Sequence, residues 1–264
     1  MQCNKTLMSH CRRNKIKQNI PSFRSVDSLL FNLKFPWVPV VILIIGLAIA
    51  STISLHTTNS PIISSDGVGY NAYLRLYLIY HSLDFEELIK PKMPYGLHRA
   101  PRTGRLTNQY QIGTAIAELP FFLIGHMVAK LGKWPADGWS APYQWAILAA
   151  AFFWFCLGVA GTWIVIATRT SQSAASFALL ATTFGTNLLL YVVNQPSMSH
   201  VYAFGALASM LLLGDLFWKA PSARRAFVFG LSLGFLVSIR NYDILYAPVA
   251  LYPALSVGVK VVVT

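Results

Sequence analysis

Asp66 stands in the stretch Ser64-Ser65-Asp66-Gly67-Val68-Gly69-Tyr70, just after the first long apolar run of the chain. A carboxylate at the membrane–water boundary can take a proton from an incoming hydroxyl. Gly67 and Gly69 let the backbone bend and approach a ligand closely. Tyr70 and Tyr73 bring amphipathic rings of the kind that settle at the headgroup level. The structural alternative is that Asp66 caps a surface helix starting near Gly67, since Asp is a favoured N-cap.

Cations for a phosphate group lie in two places. Arg99, Arg102 and Arg105 sit in the turn-rich loop His98–Arg105, and Arg240 opens the cluster Arg240-Asn241-Tyr242-Asp243. Guanidinium groups suit bidentate contacts to phosphate. His200 ends the turn Asn194-Gln195-Pro196-Ser197-Met198-Ser199-His200. Each has a plainer reading. The three arginines make a solvated face, His200 caps a helix or sits at the interface, and Arg240 with Asp243 forms a local ion pair three residues apart on a helix. Glu86 and Glu87 read as solvated. A divalent metal held by Asp66 with Glu86, Glu87 or His98 stays open, but no spacing singles out a metal site and the cofactor is undetermined. No P-loop, dinucleotide fingerprint, nucleophile elbow or zinc-protease motif occurs, so soluble nucleotide chemistry has no support.

The elements that must position these residues belong to a membrane protein. Of 264 residues 55% are hydrophobic and 11% charged, against roughly 25% charged in soluble domains. The net charge of +12 comes from basic residues at the ends of apolar runs, which is what membrane orientation requires. None is interleaved with aromatics on a polar face, so nucleic acid is not a partner; membrane lipid is. Cys3, Cys11 and Cys156 have no zinc or disulfide spacing, and Cys156 reads as a small apolar packing residue.

In order, residues 1–35 form a basic tail, with Lys5, Arg12, Arg13, Lys15, Lys17, Arg24 and Lys34 against Asp27. The positive-inside rule places it in the cytoplasm. Pro36–Leu55 is long enough to cross a bilayer and reads as an uncleaved anchor rather than a signal peptide. Residues 57–142 form a long outer loop, with an amphipathic interfacial helix over Gly69–Leu83 and a break at Pro91–Gly96. Residues 110–131 have the hydropathy of a span, but charge parity opposes it. The tail and the Lys219–Arg225 loop both read as cytoplasmic, so an even number of crossings separates them. The runs near 37–55, 143–167, 174–193 and 200–218 already supply that even number. Glu118, Pro120 and His126 would also be costly in the bilayer core. The segment is therefore expected to be interfacial or re-entrant. A short helix over 226–239 rises only about 21 Å, and an apolar run over 244–264 follows. The expected fold is an all-α polytopic bundle of about six transmembrane helices, with interfacial helices in the first outer loop. The ending suggests a fragment or an early stop.

Four segments carry a family resemblance: Ser65–Tyr70; Thr103–Gly113, leading into Pro120-Phe121-Phe122-Leu123; Gly185–Tyr191, preceding Gln195–His200; and Gly230–Arg240. Together they resemble the GT-C class of membrane glycosyltransferases, closest to the bacterial branch related to protein O-mannosyltransferases and aminoarabinose transferases. The resemblance implies inverting transfer of a sugar from a polyprenyl-phosphate-linked donor to an acceptor hydroxyl, on the periplasmic side of the bacterial inner membrane. By position Asp66 would be the base. Tyr70, Tyr110, His200, Arg240 and the arginines at 99, 102 and 105 would contact substrate. The sugar and acceptor are not specified. The chain departs from the family pattern in three ways, the first being that full-length members have more spans than the roughly six expected here and often a C-terminal periplasmic domain. Related sequences often have Lys-Tyr-Pro-Ile-Gly where this chain has Gln109-Tyr110-Gln111-Ile112-Gly113, and Gly67 stands where many relatives place a second acid. The rival reading is a non-catalytic membrane protein, a transporter subunit or an inactive truncated scaffold. A transporter favours charged sites at the midplane and inverted repeats; this chain shows no repeat, and its polar residues gather toward one side.

Overall fold

A computed structural model describes residues 61–88 and 96–250, all within the compact unit Lys34–Thr264. The basic tail, the expected first span, most of the Pro91–Gly96 break and the run from residue 251 onward lie outside the described residues.

Helices dominate. In order they are α1 (Asp66–Leu74), α2 (Gly113–Leu131), α3 (Ala141–Ala167), α4 (Gln172–Phe184), α5 (Leu188–Asn194), α6 (Ser199–Lys219) and α7 (Ala223–Ile239). By length and composition α2, α3 and α6 could each cross a membrane, and α4 with α5 would make a fourth span bent by 55°. The chain is a multi-pass helical membrane protein. The Gly69–Leu83 segment departs from expectation. Its α-helix begins three residues earlier, at Asp66, and loosens into a π turn over Arg75–Ile79. The turn-rich basic loop is in fact a β-hairpin, β1 (Leu97–Arg99) paired antiparallel with β2 (Leu106–Asn108). Leu97 and Leu106 point inward and bury with Ala72, Leu76 and Leu88, so the alternation of one apolar residue with polar neighbours sets its register.

α3 and α6 run parallel as the central pair. The Tyr202 hydroxyl approaches the Ile147 carbonyl near their starts, and Arg169 pairs with Asp215 near their ends. Small residues let them approach: Gly158 lies on Phe204, Gly161 on Ala208 and Gly205 on Trp154. Close backbone packing of this kind drives helix association where lipid offers no hydrophobic gain. Cys156 packs half-buried against this core, as expected. α7 returns antiparallel to α6, with Phe229 stacked on Phe217 and Arg240 beside His200. It spans 17 residues, starting three residues earlier than expected.

α2 does not run from one end of this bundle to the other. A Cβ on Gly113 would lie 2.2 Å from the Ser238 carbonyl carbon, and one on Gly125 would lie 2.9 Å from the Ala146 Cβ. Between these points the Trp154 indole donates to the Ala117 carbonyl at 3.2 Å and the Phe121 ring lies 5.5 Å from that of Phe153, so α2 packs antiparallel along the first half of α3 with its start beside the last turn of α7. Its costly residues are accommodated individually. Glu118 is buried, the His126 Nδ1 sits 2.5 Å from the Tyr143 hydroxyl, and Pro120 is exposed inside the helix.

Candidate functional site

The starts of α1 and α6, the end of α7 and the approach to α2 meet around a cleft of about 230 Å³. Asp66, Tyr70, Gln109, Tyr110, Gln111, Ser199, His200, Arg240 and Tyr242 are among its lining residues. Five of the sequence-derived candidates, Asp66, Tyr70, Tyr110, His200 and Arg240, are thus brought together from four separate segments.

Asp66 is the first residue of α1, not its cap. Ser65 takes the cap position with φ 50°, and its side chain makes no capping bond. A non-glycine residue at positive φ is uncommon and costs energy that the surroundings must supply. The capping alternative for Asp66 therefore does not describe this helix start. Instead the Tyr110 hydroxyl donates to Asp66 Oδ1 at 2.6 Å. Tyr110 is held on three sides. Its ring lies 4.9 Å from that of Tyr70, its carbonyl accepts from the Tyr73 hydroxyl at 2.6 Å, and its ring fills the space beside Gly69. A Cβ on Gly69 would meet that ring at 2.2 Å, and one on Gly67 would meet Ser197 Oγ at 2.0 Å. Both glycines therefore permit close approach, of protein to protein. Burial raises the Tyr70 and Tyr73 phenols, Tyr73 to about 12 with Tyr77 adding to the effect. Both stay protonated donors at neutral pH.

Across the cleft, Arg240 breaks from α7 with φ −146° and ψ 116°. Its guanidinium donates to His200 Nδ1 at 2.8 Å and lies over the Tyr242 ring at 5.9 Å. Because guanidinium has only donors, His200 Nδ1 must accept, so the ring is neutral with its proton on Nε2. His200 is stacked on Tyr191 at 3.8 Å. The expected ion pair between Arg240 and Asp243 does not form. The chain is no longer α-helical there, and what joins them is the Asp243 amide donating to the Arg240 carbonyl at 3.0 Å. Burial raises the Asp243 carboxyl above its usual range, with Arg240 opposing. Among the described residues the ion pairs are Arg99–Glu86 and Arg169–Asp215. Asp66 and Arg240 thus face the same space without neutralising each other.

The hairpin arginines stand apart. Arg99 forks onto Glu86 at 2.6 and 3.1 Å, and Arg102 and Arg105 are exposed. None of the three lines the cleft. Their solvated-face reading describes them, and Glu86 pairs with Arg99. Among the described residues no three His, Cys, Asp or Glu side chains gather as metal ligands. Gln109, Gln111, Ser199 and Tyr242 were not singled out by sequence. Their one available signal is adjacency to residues that were.

No family model, no curated protein and no solved structure matches this chain.

Proposed function

We propose that the chain acts as a GT-C-type glycosyltransferase module at the outer face of a bacterial inner membrane, taking its sugar from a polyprenyl-phosphate-linked donor. The observation that carries this reading is the pairing of functions in the cleft. A carboxylate from residue 66 and a guanidinium from residue 240 open onto one small space and leave each other unpaired. Asp66 takes the proton of an acceptor hydroxyl, whose oxygen attacks the anomeric carbon as the bond to the lipid phosphate breaks. A single displacement of this kind inverts the sugar. Arg240 stabilises the charge that develops on the departing phosphate. Tyr110 orients the base. In this reading Arg240 holds the phosphate, out of the four arginines at 99, 102, 105 and 240 that the sequence offered for it. Charge parity between the basic tail and the Lys219–Arg225 loop supports an interfacial placement of α2, which keeps the cleft and the 57–142 loop on one side.

The test is Asp66→Asn in membranes supplied with a polyprenyl-phosphate-linked sugar and an acceptor alcohol. Losing a general base costs about 10²- to 10⁴-fold. Undiminished transfer by a variant that still folds would sink the role.

A further inference from the structure

A groove of about 560 Å³, larger than the cleft, opens between α6 and α7. α6 begins at the cleft with Ser199 and runs for 21 residues, which rise about 32 Å. That matches the roughly 30 Å hydrocarbon core of a bilayer. The groove lies where α6 ends and α7 begins, so it belongs to the headgroup layer opposite the cleft. Leu213, Leu216 and Val228 give it an apolar wall, and Arg224 and Arg225 stand beside them in the first turn of α7. Leu213 is seven residues before Ala220, so the groove reaches about 10 Å from the headgroup layer toward the core.

The protein itself positions these cations. The Arg225 amide donates to Ser222 Oγ at 3.3 Å, and its Nη1 donates to the Leu216 and Ala220 carbonyls at 3.2 and 2.9 Å. Those carbonyls belong to the last turn of α6 and its cap. The other edge of the guanidinium, Nε with Nη2, has no acceptor among the described residues. Neither arginine forms an ion pair there. No carboxylate lines the groove among the described residues. Asp215, the acid of α6, is taken by Arg169. Two guanidinium groups thus sit uncompensated against an apolar wall at a membrane surface.

We propose that this groove seats one anionic phospholipid, its phosphate on Arg224 and Arg225 and the upper part of an acyl chain along Leu213, Leu216 and Val228. Basic pockets between membrane helices take anionic headgroups, and a free guanidinium edge matches phosphate bidentately. A soluble phosphate would leave the apolar wall uncovered. A zwitterionic lipid would bring an ammonium for which the groove holds no acid. The site is at the other end of α6 from Asp66 and stands independently of what the cleft transfers.

The experiment is native mass spectrometry of the full chain in detergent, titrated with phosphatidylglycerol or phosphatidylcholine of identical acyl chains. The first phosphatidylglycerol should bind saturably and more tightly than phosphatidylcholine. Arg224→Gln should weaken it roughly fivefold; the residue is exposed, so the variant folds. Val228→Trp, which fills the groove and keeps both arginines, should weaken it too. Arg102→Gln, which removes the same charge from the exposed hairpin, should change nothing. Equal affinity for the two lipids overturns the proposal, as does an Arg224→Gln variant indistinguishable from Arg102→Gln. Displacement of the lipid by equimolar glycerol 3-phosphate overturns it as well, because the phosphate alone would then be recognised. A folded Val228→Trp that binds like the wild type would mean that basic surface attracts lipid without a groove, and also overturns it.

Discussion

The Tyr110 hydroxyl reaches Asp66 across 44 positions of sequence, and Tyr73 and Tyr70 hold the ring that carries it. Hydrogen bonds to charged groups contribute about 1.5–3 kcal/mol. Tyr110→Phe keeps the ring against Gly69 and removes only the hydroxyl. Transfer should fall roughly tenfold or more, with little change in Tm, when both are measured on one preparation. An unchanged rate would show that Asp66 needs no orientation. At this scale Asp66, Tyr70, His200 and Arg240 were legible because acids, cations and rings at the end of an apolar run are conspicuous. Glu118 stands out in the sequence only as an obstacle to membrane crossing. Nothing in the sequence says that Tyr202 would lie beside it, because that neighbour comes from α6, 84 positions further on.

Among the elements, the pair Arg169–Asp215 joins the ends of α3 and α6, and its two partners differ in exposure. The Arg169 side chain is 36% exposed and Asp215 only 9%. Removing Asp215 leaves a cation that water can reach; removing Arg169 strands a buried carboxylate, which is the costlier defect. Arg169→Ala should therefore lower stability by about 2–4 kcal/mol and Asp215→Asn by about 1 kcal/mol, compared by unfolding in the same detergent. The reverse order would mean that Asp215 is solvated. The extents of α3 and α6 were readable within a residue or two because long apolar stretches admit few alternatives. The hairpin and the π turn were not. Strands of three residues carry too little alternation to read, and Leu97 and Leu106 point inward because α1 and the π turn provide an apolar surface for them.

For the whole molecule, the question is which side of the membrane each loop occupies. With cysteine substitutions in a cysteine-free background, Gly104 and Lys133 should label from outside intact cells and Ser222 should not. Lys133 is the better probe of the α2–α3 turn, because a side chain at Gly138 would meet Arg75 Cγ at 2.6 Å. Labelling of Ser222 from outside together with a shielded Lys133 would mean that α2 crosses the bilayer. The sequence by itself determined that this chain lives in a membrane, and where α3 and α6 begin and end to within two residues. Those properties follow from composition and local hydropathy, which neighbouring helices do not alter. The tertiary structure alone decided which arginine faces Asp66, that α2 lies along the first half of α3, and that Glu118 is buried beside Tyr202. These depend on contacts between residues tens to more than a hundred positions apart, and such contacts exist only once glycines at 67, 69 and 113 let the helices close on one another.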